Sequence, residues 1–407
     1  MTLRARAVVV TLGVVVGAAL AFRSSKVEAH KPITSKYTYN DDVFPIFKEK
    51  CSRCHVDGGV APMSLMTYEE AFPWAESIRA ELIASHMPPW NAQDGYGQFK
   101  HASLLTAKEV DVILTWATGG NPRGRLDQQL PKVTLANDWT LGAPDAALKL
   151  PEFSIATDKM EDTHEFTVAT GLKEPRLVRA VDLRPGTPSV VRSAVISVTG
   201  ASDAAYAPEH VLGRWVPGLN PEPVDKDGAA FRLPANAELT VRVHYKKTWQ
   251  FEGKALTDAS TIGIYFAPEK SAQELLVVPV AAPADAVVAN QKITYTQTID
   301  QDVQALALTP DQVAPDITVQ AQAVLPGGQR MPLIRLNTRA DWTRRYWFEK
   351  PIMLPRGTKI EVVADLQDPD LLSAAYGGAV TPKAPEPPLP MRLSLNVIPA
   401  TPKASAP

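Results

Sequence analysis

Two thiols and an imidazole stand together in one pentapeptide, Cys51-Ser52-Arg53-Cys54-His55. Two cysteines three positions apart, followed at once by a histidine, are what covalent attachment of a c-type haem requires. Each thiol adds to a vinyl group, and the histidine reaches the iron from the same side. The same pattern can serve as a dithiol redox motif, as half of a zinc site or as a strained local disulfide. A zinc site wants a second pair of Cys or His at similar spacing, and a thioredoxin-like site wants a βαβ context; the sequence supplies neither. One covalent haem c is therefore expected, bound by Cys51 and Cys54, with His55 as an iron ligand.

The sixth ligand must approach from the opposite face, so it is sought well downstream on a stiff loop. Met87 fits, in Ser85-His86-Met87-Pro88-Pro89-Trp90: two prolines fix the backbone, and a thioether raises the reduction potential relative to a second histidine. Met63 and Met66 are rivals that follow the pentapeptide too closely to wrap easily to the far face. His86 is a bis-histidine alternative, and an open sixth position is a further one.

Short helices must hold these groups. Val43, Ile46 and Phe47 recur at helical spacing just before the pentapeptide, placing the haem at a helix end. A second helix opens at Thr67, with Glu70 completing a capping box, and Pro73 splits it before Trp74 to Ser85. A third opens at Thr106 with Glu109 as its box partner; Val110, Ile113, Leu114 and Ala117 form its apolar stripe, and Gly119-Gly120 stops it. Trp116 is expected either beside the haem or in the core.

At 407 residues the chain is long enough for several domains. Forty-two basic against 44 acidic residues give a formal charge of -2, which removes the electrostatic reason to expect nucleic acid as a partner. Arg4 and Arg6 followed by the apolar stretch Ala7 to Phe22 read as an export signal occupying 1–29, cleaved before His30. Export places the body in the periplasm or an equivalent compartment. An uncleaved signal would instead anchor it to the membrane, since no lipidation cysteine follows.

Beyond the helices the pattern changes to period two. Leu239, Val241, Val243 and Tyr245 alternate with Thr240, Arg242, His244 and Lys246, as in a half-buried strand. A further strand pair flanks Arg184-Pro185-Gly186-Thr187-Pro188, and further runs fall at Leu276 to Val280, Ile317 to Val324, Trp347 to Leu354, Ile360 to Ala364 and Arg392 to Val397. The expected architecture is multidomain: a small all-α cytochrome c domain over 36–121, a linker over 122–146, and two all-β antiparallel sandwich domains over 147–270 and 271–398. Residues 399–407 are expected to be a disordered tail.

Tyr39-Asn40-Asp41-Asp42-Val43-Phe44-Pro45-Ile46, Ala61-Pro62-Met63-Ser64-Leu65 and Met87-Pro88-Pro89-Trp90 resemble the cytochrome c domain of large bacterial exported proteins. In many of these the haem domain is fused to a copper type II ascorbate-dependent monooxygenase module, akin to the peptidylglycine and dopamine β-monooxygenases, with two sandwiches that each carry one copper. Trp215-Val216-Pro217-Gly218, Val243-His244-Tyr245 and Leu354-Pro355-Arg356-Gly357-Thr358 stand where that family has similar segments. The copper ligands mostly do not. Arg192-Ser193 replaces a His-His pair and Pro310-Asp311-Gln312-Val313 replaces a Pro-His-Met-His segment, leaving His244 as a copper remnant. A type II site needs about three N or S donors, and an arginine repels the cation, so copper is not expected.

The bland reading of His244 is a solvated surface histidine beside Arg242 and Lys246. His101, His164 and His210 are isolated in sequence, and His30 would chelate copper only as a free N-terminus. Three functions are ranked in order: a periplasmic electron-transfer protein whose sandwiches dock or scaffold it against a redox partner protein, a haem-fed copper monooxygenase, and a structural or binding subunit of a larger exported complex. No catalytic residue is expected in the first.

Overall fold

The computed structural model describes residues 34–102, 104–199, 210–268, 272–339, 342–366 and 391–400. The expected signal over 1–29, its cleavage before His30, and residues 401–407 of the expected tail lie outside the described residues, while Pro399, placed in that tail, ends the strand Arg392–Pro399. Among the described residues no helix is long and apolar enough to cross a membrane.

The chain begins in short helices. A π-turn, Tyr39–Val43, is capped by the Thr38 side chain accepting from the Asp41 N–H and runs into α1, Phe44–Lys50. Thr67 caps α2, Tyr68–Ala71, by accepting from the Glu70 N–H, and Pro73 then tightens the chain into a 3-10 turn before α3, Ala75–Ile83. That interruption is what a proline inside a helical pattern imposes. Helix α4, Ala107–Thr118, opens on a complete capping box between Thr106 and Glu109 and stops at Gly119. Its buried face is Val112, Ile113, Trp116 and Ala117. The expected stripe through Val110 and Leu114 is thus rotated toward Trp116, the largest side chain available to fill the core. Trp116 is fully buried between Tyr39 and Phe47, and its indole N–H donates to the Pro122 carbonyl at 3.2 Å.

Two β-sandwiches follow. In the first, a five-stranded sheet of Ala146–Lys149, Thr261–Phe266, Arg176–Arg184, Ala229–Leu233 and Gln273–Glu274, in that order, faces a four-stranded sheet of Glu161–Ala169, Glu238–Lys246, Val191–Val198 and Val211–Trp215. The Pro185 to Pro188 connection therefore carries the chain from one sheet to the other; the strands on either side of it do not pair. All pairings are antiparallel except that of Gln273–Glu274 with Ala229–Ala230, which is parallel. The first sandwich thus extends past the expected boundary at 271, a residue that is itself outside the described ones.

The second sandwich packs Leu276–Ala281, Arg392–Pro399, Val303–Gln312 and Tyr346–Leu354 against Val288–Ala289, Lys292–Thr298, Lys359–Asp365, Thr318–Val324 and Arg330–Asn337, all antiparallel. Its two sheets read differently. Thr318–Val324 and Lys359–Asp365 alternate buried and more exposed positions, as strands with one wet face do. Val303–Gln312 and Arg392–Pro399 are buried almost continuously, because Leu306, Trp347 and Ile398 pack into the core of the first sandwich from the other face. The junction also holds a buried ion pair, Arg214 to Asp311 at 2.9 Å, and the Arg345 guanidinium, which donates to the Val211 and Leu212 carbonyls.

The segment from Met87 to Ala102 is not confined to the helical region. It forms a strap across the second sandwich: Gln93 N–H donates to the Arg335 carbonyl, Asn337 N–H to Asn91, Lys100 N–H to Trp347 and Glu349 N–H to Gln98, at 2.7 to 3.1 Å. Trp90, Ala92 and Phe99 are part of that sandwich's core. The expected 36–121 unit is thus threaded through its neighbour. The expected linker over 122–146 is an ordered seam, with Leu130, Val133 and Leu135 against the helical core and Asn137 donating to the Pro185 carbonyl.

Candidate functional site

Helix α1 delivers the pentapeptide at its C-terminus: the Cys51 N–H donates to the Phe47 carbonyl, and the Cys54 and His55 N–H groups both donate to the Cys51 carbonyl. The chain then folds back, with the Ala61 N–H donating to Cys54 and the Leu65 N–H to His55. Gly59 makes that return feasible, since a Cβ there would stand 2.3 Å from the Cys54 carbonyl oxygen.

The return places His55 Nδ1 3.2 Å from the Met63 carbonyl oxygen. A carbonyl only accepts, so Nδ1 carries the proton and Nε2 keeps its lone pair, the arrangement by which a protein orients a metal-ligating histidine. Burial lowers the His55 pKa, against a smaller opposing effect of that hydrogen bond, and favours the neutral ring. Burial likewise pushes the thiols up, Cys51 to about 12 and Cys54 to about 11, with nearby arginines opposing the shift at Cys54. Both cysteines are free thiols, and as such they are neutral.

Cys51, Cys54, His55, Met63 and Met87 all line one cavity of about 440 Å³, within the size range of cofactor sites. Most of its wall is apolar, from Phe47, Ile78, Leu82, Leu105 and Ile113 on α1, α3, α4 and the approach to α4. Met87 reaches it from the strap. His86 does not line it: its ring nitrogens lie 3.1 Å from a Glu81 carboxylate oxygen and 2.8 Å from the Arg339 guanidinium. Met66 is buried in the helical core away from the cavity, and the Met63 backbone is tied to the histidine side.

The remaining wall comes from the sandwiches. Arg192, Pro217 and Gly218 of the first and Trp342 and Arg344 of the second close the cavity. Gly218 has φ +75°, and a Cβ there would stand 3.2 Å from Arg53 Cβ and 3.7 Å from Cys54 Sγ, so the loop rests directly on the pentapeptide. Arg53 fastens it by donating to the Gly218 carbonyl at 3.0 Å and to Asn220 Oδ1 at 2.5 Å. Arg192, expected only as the replacement of a copper ligand, faces the same cavity as the cysteines. Arg344 was not singled out from the sequence. The available signal was a charged pair, Arg344-Arg345, at the head of the aromatic run Tyr346-Trp347-Phe348.

His244 is elsewhere, on the second strand of its sheet, with Nε2 2.7 Å from a Glu161 carboxylate oxygen. His101 meets Glu222 at 2.7 Å, and His164 stacks on Phe153 with ring centroids 4.2 Å apart. Among the described residues no three His, Cys, Asp or Glu side chains gather in a way that could hold a metal ion.

No family model and no curated protein matches the chain. Solved structures similar to it include a PBCV-1 virus capsid model, 8% identical over 68% of this chain and 96% of that one with a TM-score of 0.24. Others are the PBSX exported protein XepA, 8% identical over 57% of this chain and 88% of that one with a TM-score of 0.18, and an allantoicase, 10% identical over 56% and 84% with a TM-score of 0.16. Likenesses this distant carry no functional argument.

Proposed function

We propose that this chain is an exported c-type haem protein that transfers electrons, with one haem bonded to Cys51 and Cys54 and ligated by His55 and Met87. The observation that carries this reading is the shared cavity: four residues chosen from sequence spacing, 36 positions apart at the extremes, line one largely apolar space. The donor set fits the group. Two free thiols, a neutral imidazole with Nδ1 held by a carbonyl, and a thioether on a proline-stiffened strap are the ligands an attached haem uses.

When bound, the haem supplies an iron that changes oxidation state by one electron. The residues supply everything else. His55 is held in one orientation by the Met63 carbonyl, Met87 is held by a strap anchored in another domain, and the apolar wall excludes water. Fixed ligands and a dry surround keep reorganisation small, which suits electron transfer rather than substrate chemistry. The sandwiches then act as a scaffold that closes the site and offers surface to a redox partner protein. The resemblance to haem domains fused to copper monooxygenase modules agrees with this arrangement, while His244, bonded to Glu161, offers copper one imidazole.

Expression in a host that matures c-type cytochromes tests the reading. Haem that stays with the chain after denaturation is expected for the native protein and is lost for Cys54→Ser; Met87→Ala is expected to retain haem and to lower the reduction potential. A native protein purified colourless would overturn the proposal, and an unchanged potential in Met87→Ala would reassign the sixth ligand.

A further inference from the structure

Four cationic side chains, Lys50, Arg53, Arg192 and Arg344, line the cavity with one carboxylate, Glu81; Lys50 is paired with Glu49 at 3.0 Å and Glu81 with His86 at 3.1 Å. Arg344 is the least expected of these. It is 5% exposed, and a buried guanidinium costs several kcal/mol unless its charge is compensated.

Its visible partners are neutral. One Nη donates to the Pro89 carbonyl at 2.6 Å, the guanidinium lies 5.5 Å from the centre of the Trp90 ring, and Nε is buried without a hydrogen-bond partner. Among the described residues no carboxylate pairs with it. An apolar cavity that holds an uncompensated planar cation calls for an occupant with an anionic end, and a guanidinium fork matches a carboxylate with two parallel hydrogen bonds.

We propose that Arg344 is the counter-ion of a haem propionate, so that the second sandwich is part of the haem site. This rests on the electron-transfer reading above. Arg344 then has two tasks. Through Pro89 it positions the segment that carries Met87, and through its free edge it holds the macrocycle's carboxylate. A cation fixed there favours the reduced iron, because reduction removes one positive charge from the same low-dielectric space.

The test uses the full-length, haem-loaded protein and the variants Arg344→Gln and Arg344→Lys. Reduction potential is read by spectroelectrochemical titration and the propionates by their carboxylate bands in redox-difference infrared spectra. Arg344→Gln is expected to lower the potential and shift those bands, while Arg344→Lys recovers most of the potential. Bands that stay in place in Arg344→Gln overturn the pairing, whether or not the potential moves. If Arg344→Gln also loses the iron–thioether absorption, Arg344→Lys decides: it keeps the charge but not the fork, so shifted bands support the pairing and unshifted bands overturn it. Native protein without covalent haem would instead sink the earlier reading, whereas haem-loaded native protein with insensitive variants would sink this inference alone.

Discussion

The helical wall of the cavity and its sandwich wall are built by different rules. On the helical side each group is fixed by neighbours in sequence: Cys51 caps α1, Gly59 lets the loop return, and the Met63 carbonyl eight residues on orients His55. On the sandwich side Arg192, Gly218 and Arg344 share the cavity with the pentapeptide from 137 or more positions away, and nothing local in them marks the encounter. The geometry of the pentapeptide is thus locally encoded, while its enclosure depends on three cores being assembled together.

That contrast can be broken at the strap. Trp90 is 8% exposed and packs edge-on to Tyr346 at 5.3 Å. Trp90→Ala is expected to lower stability by about 3 to 5 kcal/mol, the cost of removing a large aromatic side chain from a packed core. Denaturant unfolding checks the magnitude. Limited proteolysis checks the place, because new cleavage should fall between residues 88 and 102 and not in α4.

A second substitution separates the two sandwiches from each other. Asp311→Ala leaves Arg214 buried without its carboxylate, beside Arg345, whose pKa is lowered first by burial and then by Arg214. Removing one partner of a buried pair costs about 3 kcal/mol or more, and calorimetric unfolding should show it as a lowered midpoint. Asp311→Asn is expected to cost less, since the amide oxygen can still accept. Equal losses in the two variants would mean that the charge, and not the hydrogen bond, is what matters at this junction.

The smallest effect is expected on the helical side. Thr106 accepts from the Glu109 N–H at 3.2 Å, and Glu109 accepts from the Thr106 N–H at 2.6 Å. Thr106→Ala should cost about 1 kcal/mol, measured by denaturant titration, and leave the cavity unchanged. A loss as large as that of Trp90→Ala would erase the distinction between the walls.

Much of the helical side was legible because its signals are short-range. The side-chain cap at Thr67, which lacks the return bond from Glu70 that a full capping box has, the complete box at Thr106, the break at Pro73 and the stop at Gly119 each act within one helical turn. The structure places Met87 on the cavity and His86 between Glu81 and Arg339. The face of α4 was misjudged by a fraction of a turn because Trp116 fills the core between Tyr39 and Phe47. Period two identified strands such as Glu238–Lys246 and Lys359–Asp365, but it is silent on which sheet a strand joins, and so the crossover at Pro185 to Pro188 was not foreseen.

By itself, then, the sequence determined the Cys-Ser-Arg-Cys-His pentapeptide at a helix end, the caps of the short helices and the two-faced strands, since each depends on side chains within a few positions. Only the tertiary structure decided that Trp90 and Phe99 belong to the second sandwich, that Gly218 rests against Cys54, and that Arg344 is buried at the cavity with no carboxylate partner among the described residues. These are contacts between distant segments, fixed by how whole cores exclude water and fill space, and no pattern of neighbouring residues specifies them.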